Sequence, residues 1–253
     1  MRILITNDDG VDAPGIAVMR DIAQSMSDDV WIVAPDGNQS GAGHRFTLGR
    51  ELSFDQREAQ VFAVVGGSPA DCVVAGYTHL LRDRAPDLVL SGVNQGQNLG
   101  DIINCSGTAA GAREGTMQGA LSIAMSQAVD YQAGHDVVWD NAVAYGAAVV
   151  RAIVAQAQGL DTYYNVNFPL CAPDEVSGIQ VVPHQRFARS AFQYYESDNA
   201  GKFFMAIPET PMPLERTHDF EVLHKDHAIT VTPLSLMQTD MQTLGRLQGK
   251  MVL

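Results

Sequence analysis

The chain has 253 residues, 46% hydrophobic and 18% charged, a composition typical of a globular protein with a buried core. Its 16 basic and 29 acidic residues give a net charge of −13, and such a surface repels polyanions. We therefore expect neither a nucleic-acid polymer nor a membrane as partner. No apolar run reaches the roughly 20 residues that span a bilayer, and no signal peptide is visible. Cys72, Cys105 and Cys171 form no CxxC pair, which favours reduced thiols in a cytoplasmic protein.

Short apolar runs alternate with helical segments along the first 170 residues. Buried strands of the parallel type are predicted at 3–6, 30–36, 61–65, 86–92, 121–126 and 162–169. Helices are predicted from Pro14 to about Met26, after Ser68 with Pro69 in the first turn, and from near Ser106. This alternation predicts an α/β fold with a mostly parallel sheet that is covered on both faces.

The later part of the chain has a different character. Asp140 is predicted to cap a helix that runs from Asn141 to about Gln158 and ends at Gly159. Residues 184–227 are polar and aromatic, which indicates a hairpin and loops that project from a core of residues 1–183. A strand at 228–234 returns to the sheet, and 235–253 form a C-terminal arm. Since no linker is visible, we expect a single domain over 1–253.

Polar residues gather where predicted strands end. Ligands of open parallel sheets bind at the carboxyl ends of the strands, so these segments should meet at one edge. Oxygen ligands without histidine or cysteine favour a hard cation such as Mg²⁺, Mn²⁺ or Ca²⁺. For Asp8–Asp9–Gly10 alone, an ordinary turn remains the alternative. The first predicted strand is followed by Asn7, Asp8, Asp9 and Gly10, and the second by Asp36, Asn38, Gln39 and Ser40. The fourth is followed by Ser91, Asn94, Gln95, Asn98 and Asp101, and the next helix starts with Ser106, Gly107 and Thr108.

The segment SGVNQGQNLGDIINCSGT is the densest signal. Its glycines permit tight turns, and Ser106, Gly107 and Thr108 offer hydroxyl and free N–H groups at a helix start, where anions bind. It is neither a Walker A loop nor a dinucleotide fingerprint, because no Gly-Lys-Ser/Thr follows and the glycine spacing is wrong. A glycine-rich loop with an ordinary helix cap remains the alternative.

Several weaker candidates have ordinary structural explanations. Ser40 as a nucleophile lacks a histidine at a recognisable triad position, so loop polarity explains it as well. Packing, capping or solvation are the alternatives for the others. These are His44 as a substrate contact, Cys105 as a reactive thiol, Tyr194–Tyr195 as a stack for a base, and the histidines His184, His218, His224 and His227.

Six segments in order carry a family resemblance: RILITNDDGVDAPGI, VAPDGNQSGAG, GSPADCV, PDLVLSGVNQGQNLGDIINCSGTAAGAREG, NVNFP and ITVTPL. Together they resemble the SurE family of metal-dependent 5′/3′-nucleotidases, from residue 1 to about 234. The resemblance implies a Rossmann-like three-layer α/β/α sandwich with a projecting β-hairpin and a C-terminal arm. Ala109 and Cys105 depart from the residues common in the family, which bears on substrate preference.

The resemblance also assigns roles. It implies that Asp8, Asp9, Ser40 and Asn94 bind one divalent cation per subunit, Mg²⁺ or Mn²⁺ with Ca²⁺ as an alternative. It places phosphate contacts at Asn98, Ser106, Gly107 and Thr108. Nucleoside 5′- and 3′-monophosphates, and in some members short polyphosphate, are the implied substrates. Self-association into a dimer or tetramer through the hairpin and the arm is also implied.

The expected chemistry is metal-assisted hydrolysis of a phosphate monoester, with Asp8 and Asp9 as catalytic residues. Asp9 is the favoured general base. An aspartyl-phosphate route through Asp8 is the rival within the enzyme class, although the acids are adjacent and lack DxD spacing. A non-catalytic nucleotide- or metal-binding module is the alternative outside it.

Overall fold

A computed structural model describes residues 1–130, 137–207 and 210–250. The strands are β1 (Arg2–Thr6), β2 (Asp29–Pro35), β3 (Ser53–Glu58), β4 (Val61–Val65), β5 (Leu88–Gln95), β6 (Leu121–Gln127), β7 (Thr162–Phe168), β8 (Ile179–Val181), β9 (Gln193–Glu196), β10 (Phe203–Ala206) and β11 (Ile229–Ser235). The α-helices are α1 (Pro14–Gln24), α2 (Pro69–Ala75), α3 (Gly107–Met117), α4 (Asp140–Gln156), α5 (Asp219–Asp226) and α6 (Met241–Leu247). Within these ranges no helix is long and apolar enough to cross a membrane.

Nine strands of the described chain form one sheet in the order β3-β4-β2-β1-β5-β6-β7-β11-β8. β3 pairs antiparallel with β4, and β11 pairs antiparallel with β7, whereas the other pairings are parallel. Helices α1 and α4 pack on one face, and α2 and α3 pack on the other. The predicted three-layer α/β/α arrangement is therefore confirmed.

The strand β1 shows why a short, wholly apolar run suits the centre of this sheet. Ile3 and Ile5 lie in the core beneath α1, and Leu4 between them lies in the core beneath α2. Because successive side chains of a strand point to opposite faces, a strand covered on both sides needs apolar residues throughout. All three side chains are fully buried.

The strand order reverses at β1. From β1 the chain adds β2 and then β4 on one side, and it crosses to the other side to place β5 directly beside β1. In open α/β sheets such a switch point leaves a crevice outside the carboxyl ends of the two strands. Asp8 and Asp9 follow β1, and Asn94 lies at the end of β5, so the crevice receives all three.

Several predictions about elements were incomplete or wrong. The helix α4 begins at Asp140 rather than after it, Trp139 occupies the N-cap position without a side-chain cap, and the last helical residue is Gln156. Strand β3 is exposed along its length, and β8 has three exposed residues, so neither has the apolar run by which we predicted strands. The hairpin is confirmed as the separate β9–β10 sheet, but the helix α5 within 184–227 was not predicted.

Candidate metal and phosphate site

The turn after β1 is built by Asn7 and Gly10. The Asn7 amide nitrogen donates to Gly10 O at 2.8 Å, and Gly10 N donates to Asn7 Oδ1 at 3.1 Å. Gly10 has a φ of 110° and lies against the backbone of Gly37, which leaves no room for a side chain. This turn uses neither carboxylate of Asp8 and Asp9, so both are available to the crevice.

Asp8 is buried against the start of α3. Its Oδ1 accepts a hydrogen bond from Thr108 Oγ1 at 2.6 Å, and the Cα of Gly107 packs against its side chain. A Cβ on Gly107 would lie 2.7 Å from Asp8 Cβ, so glycine is required for this approach. Burial raises the pKa of Asp8, while bonds from Thr108 and from the backbone of Gly107 oppose that rise.

Asp9 lies beside the end of β5. Its Oδ2 accepts a hydrogen bond from the backbone N–H of Gln95 at 3.1 Å. Burial and then the charge of Asp8 raise the pKa of Asp9 to about 6. Because the charge of Asp8 opposes the ionisation of Asp9, a nearby cation would stabilise the ionised form of the pair, so these carboxylates suit a divalent metal.

The loop after β2 brings Ser40 to the same place. Gln39 N donates to the backbone carbonyl of Asp8 at 2.6 Å, and Gly43 N donates to Cys105 O at 3.0 Å. Ser40 is exposed, and its backbone N–H donates to Asn38 Oδ1 at 2.8 Å. The loop is therefore fixed on both sides of Ser40, between the end of β1 and the segment that precedes α3.

Asn94 is half-buried at the end of β5. Its amide nitrogen donates to Gly96 O at 2.6 Å, which turns the amide so that its oxygen is the atom suited to bind a cation. Two carboxylates with neutral Ser and Asn oxygens form a hard-cation donor set. Among the described residues, no cluster of three or more His, Cys, Asp or Glu could hold a metal.

The start of α3 was predicted to contact phosphate. Ser106 is the N-cap, and its hydroxyl accepts from Ala109 N at 3.0 Å. The Thr108 hydroxyl donates to Asp8, and Thr108 is fully buried. The Thr108 hydroxyl hydrogen is thus used by Asp8, whereas the Ser106 hydroxyl accepts a bond and keeps its own hydrogen as a donor, and the backbone N–H groups of this turn are donors as well.

A stripe of glycines sets the distance between α3 and the sheet. Gly107, Gly111 and Gly115 recur every four residues, on one face of the helix. A Cβ at Gly111 would lie 2.7 Å from Ser91 Oγ, and one at Gly115 would lie 2.6 Å from Ser122 Oγ. The helix N-terminus therefore meets β1 closely enough to touch Asp8.

Asn98, the remaining predicted phosphate contact, is buried in an amide network. Its side-chain Nδ2 donates to Ser126 Oγ at 2.9 Å, and its backbone is bonded to the side chains of Asn165 and Asn167. Its position in the loop after β5 places it four residues beyond Asn94. The structure thus brings Asp8, Asp9, the Ser40 loop and Asn94 together, and it gives Asn98 a fixed orientation nearby.

Comparison with known proteins agrees with this geometry. A sequence model of the family described as "Survival protein SurE" matches residues 3–191. The chain belongs to the SurE family. The 5′-nucleotidase SurE of Rhodopseudomonas palustris (strain HaA2) is 42% identical over 247 residues, 95% of each chain. That of Methylobacterium radiotolerans is 43% identical over 250 residues, 97% of each chain.

A solved structure extends the likeness to the later part of the chain. The SurE protein from Aquifex aeolicus has a TM-score of 0.84 and 32% identity, and the alignment covers 98% of this chain and 100% of that one. The family model ends at residue 191, whereas this alignment, like those with the two 5′-nucleotidases, extends over nearly the whole chain.

Sequence reasoning missed a contact between a buried glutamate and a histidine beside this SurE site. Glu114 on α3 is buried, and its Oε2 lies 2.9 Å from His44 Nε2. The other carboxylate oxygen accepts from Gln118 Nε2 at 2.8 Å. His44 belongs to the Ser40 loop, so the pair ties that loop to α3. The position of Glu114 on the small-residue face of α3 could have indicated this contact, because a buried carboxylate requires a partner.

The weaker candidates take structural positions. Cys105 Sγ donates to Ile102 O at 3.1 Å, and burial raises the pKa of its thiol, which opposes nucleophilic reactivity. Tyr194 packs against Phe203 within the hairpin, with ring centroids 5.2 Å apart. The four later histidines lie in 184–227: His184 is 4.0 Å from Asp101, His224 packs on Phe220, and His218 and His227 flank α5.

Proposed function

We propose that this chain is a divalent-metal-dependent 5′-nucleotidase, a phosphoric monoester hydrolase that acts on nucleoside monophosphates. The observation that carries the proposal is the meeting of Asp8 and Asp9 with the Ser40 loop and Asn94 at the switch point between β1 and β5. Relatives named 5′-nucleotidase SurE, 42–43% identical over nearly their full length, support the same activity.

The donor set fits one divalent cation per subunit. Asp8, Asp9, Ser40 and Asn94 would hold it, and their oxygen atoms suit Mg²⁺ or Mn²⁺, with Ca²⁺ as an alternative occupant. When bound, the cation supplies Lewis-acid stabilisation to the phosphoryl group and lowers the pKa of water. Because the pKa values of both carboxylates are raised, protons compete with the cation, so cation binding should strengthen as the pH rises and both carboxylates ionise.

The two aspartates have different parts in the proposed reaction. Asp8 is buried and held by Thr108 and by the start of α3, so it is a fixed ligand. Asp9 is less buried and has one backbone donor, Gln95, so it is the better placed of the two to accept a proton from the attacking water. The backbone N–H groups at the start of α3, with Asn98, orient the phosphate oxygens.

The test is release of inorganic phosphate from nucleoside 5′-monophosphates by protein stripped with EDTA and reloaded with Mn²⁺, Mg²⁺ or Ca²⁺. Asp9→Asn should abolish release, while the control Asp12→Asn should retain it. Asp12 is a suitable control, because it lies three positions from Asp9 and its side chain is 75% exposed. No metal-dependent release from any nucleotide would contradict the proposal and favour the non-catalytic binding module.

A covalent route through Asp8 is the remaining rival. A phosphorylated Asp8 trapped by acid quenching of a turnover reaction would support that route and exclude direct attack by water. The tight bond from Thr108 and the close contact with Gly107 restrict Asp8 to one orientation, which disfavours its movement towards a phosphorus atom.

We also infer a broader set of properties. The enzyme acts on 3′-monophosphates and short polyphosphate, works in the cytoplasm, and folds as one domain over 1–253. It self-associates as a dimer or tetramer through the hairpin and the C-terminal arm. Exposed apolar side chains on both segments support this assembly: Tyr194, Phe203, Phe204 and Met205 on the hairpin, and Met241, Leu244 and Leu247 on α6.

A further inference from the structure

The segment 94–100, which includes the last two residues of β5 and carries Asn94 and Asn98, is held at several points by other elements. Its contacts outside Asn98 reach the turn after β1, strand β6, the segment after β6 and the helix α5. They are Gln95 N to Asp9 Oδ2 (3.1 Å), Gly96 N to Gln127 O (2.9 Å), Val129 N to Gln97 Oε1 (3.1 Å) and Gly100 N to Asp219 Oδ2 (2.9 Å).

Asn98 differs from these residues because two side chains form hydrogen bonds with its backbone. Asn98 N donates to Asn167 Oδ1 at 2.8 Å, and Asn98 O accepts from Asn167 Nδ2 at 3.1 Å and from Asn165 Nδ2 at 2.8 Å. Asn165 and Asn167 are both fully buried on β7. The Asn167 amide satisfies the N–H and the carbonyl of one residue, as a neighbouring strand would.

The hydrogen bonds to the Asn98 backbone also set the orientation of its side chain. Its Nδ2 donates to Ser126 Oγ at 2.9 Å, and Ser126 is paired with Asn167 in the register of β6 and β7. The bonds to the main chain and to the amide therefore come from adjacent positions of the sheet. Buried hydrogen bonds of this kind fix one orientation, because any other orientation would leave a buried polar group unpaired.

Two buried asparagines on a central strand call for a reason beyond packing. Val166, between them on β7, faces the opposite side and lies fully buried in the main core. Apolar side chains at positions 165 and 167 would satisfy a covered sheet equally well. The amides are instead both directed at one loop residue.

We propose that Asn165 and Asn167 are positioning residues that hold Asn98 in place for the phosphate group of the nucleotide. The inference rests on the proposed nucleotidase function and adds a role for β7, which does not contribute a ligand of the cation. The hydrogen bonds of Asn94 to Gly96 and of Asp9 to Gln95 do not involve β7. Loss of the bonds from Asn165 and Asn167 is therefore expected to weaken phosphate binding rather than metal binding.

The test compares Asn167→Ala with the matched variant Val166→Ala, which truncates the adjacent core side chain on the same strand. In the Mn²⁺-loaded protein, Asn167→Ala should raise KM for a nucleoside monophosphate and the inhibition constant of inorganic phosphate, and lower kcat/KM about tenfold. The dissociation constant for Mn²⁺ should change less than about twofold. Val166→Ala should lose thermal stability but keep its KM and its phosphate inhibition.

Asn165→Ala removes one of the two donors to Asn98 O and leaves Asn167 in place, so a smaller effect of about threefold on kcat/KM is expected. This variant decides the matter if Asn167→Ala does not fold. If both asparagine variants had the same kinetic constants as Val166→Ala, the proposed positioning role of Asn165 and Asn167 would be overturned. Wild-type protein without metal-dependent phosphate release would overturn the proposed function instead, which is a separate result.

Discussion

Thr108 donates its hydroxyl hydrogen to Asp8 Oδ1 at 2.6 Å, across 100 positions of sequence. The bond joins the first turn of α3 to the end of β1, and both residues are buried. An aspartate that is buried with a single side-chain donor depends on that donor for its orientation. The position of Asp8, one of the proposed metal ligands, is therefore set by a residue outside the proposed ligand set.

Replacing Thr108 by valine should test that dependence. Thr108→Val keeps the shape but removes the donor, so we expect weaker Mn²⁺ binding and a fall in kcat/KM of about tenfold. Thr108→Ser retains the hydroxyl and should stay within about threefold of wild type. Titration of Mn²⁺ and phosphate-release kinetics measure both. Equal activity of the valine and serine variants would show that Asp8 does not need the bond.

Gly107 should tolerate no side chain. Gly107→Ala would put Cβ 2.7 Å from Asp8 Cβ, so the helix or Asp8 must move, at about 1–3 kcal/mol of stability and with loss of activity. Gly37→Ala is the matched control, because its Cβ would meet no atom within 4 Å although Gly37 borders the same turn. Urea denaturation and phosphate release should separate the two. An active Gly107→Ala protein would contradict the close approach.

The metal-free protein should lose stability as the pH rises from about 4 to about 6. Asp9 has a folded-state pKa of about 6 against about 3.9 when unfolded, so the folded state binds more protons between these values. Burial shifts Asp8 in the same direction. In EDTA at pH 7, Asp9→Asn should melt at a higher temperature than wild type, and the two should converge near pH 4.

Adding Mg²⁺ at pH 7 supplies the control for that comparison. Wild-type Tm should rise with the cation concentration, because binding to the folded state stabilises it, whereas the Asp9→Asn protein should respond little. Thermal melts across pH, with and without the cation, measure both effects. Two results together would contradict the predicted direction of the pH dependence. They are a wild-type Tm in EDTA that is higher at pH 7 than at pH 4, and a Tm of Asp9→Asn at pH 7 that is no higher than that of wild type.

Asp219 should matter for folding although it lies far from the aspartates in sequence. Its carboxylate accepts from Gly100 N at 2.9 Å and from Gln185 N at 2.7 Å, and the residue is fully buried. Asp219→Ala would leave two buried donors unpaired, for a loss of about 2–4 kcal/mol in unfolding free energy. The exposed Asp198→Ala should change it by less than about 0.5 kcal/mol. Urea denaturation of both variants is the measurement.

The hairpin is expected to hold subunits together. Phe204 is 62% exposed on β10, so Phe204→Ser should reduce the molar mass found by light scattering after gel filtration. Leu48→Ser removes an apolar side chain that is 84% exposed on another loop, and it should leave the mass unchanged. A monomeric wild-type protein, or a Phe204→Ser oligomer of unchanged mass, would contradict the proposed assembly.

The central sheet was predictable because burial on both faces demands continuous apolar runs, as in Ile3–Leu4–Ile5. The edge strand β3 was not, since SFDQRE is exposed throughout and its pairing with β4 is a tertiary effect. The helix α5 lacks a side-chain cap at His218. Acidic residues in its first turn and basic ones in its last were the signal that could have indicated it.

The meeting of Asp9 with the end of β5, where Asn94 lies, was predictable from strand ends, whereas the contacts that support the surrounding loops were not. Asn94 and Asp9 follow apolar strands, and the parallel topology brings such ends to one edge. The contacts of Asn98 with Asn167, and of His44 with Glu114, join residues about 70 positions apart, and no local pattern indicates them. The alternation of buried asparagines with Val166 was the one local hint, because polar groups within a covered strand require partners.

The place of β11 in the sheet has a consequence for synthesis on the ribosome. β8 pairs only with β11 among the described strands, and the outer edge of β7 is covered only by β11. β7 ends at Phe168, about 60 residues before Ile229. At roughly 5–20 residues per second, its outer edge stays open for on the order of several seconds during synthesis. Until β11 covers it, that edge is a template for pairing with another chain.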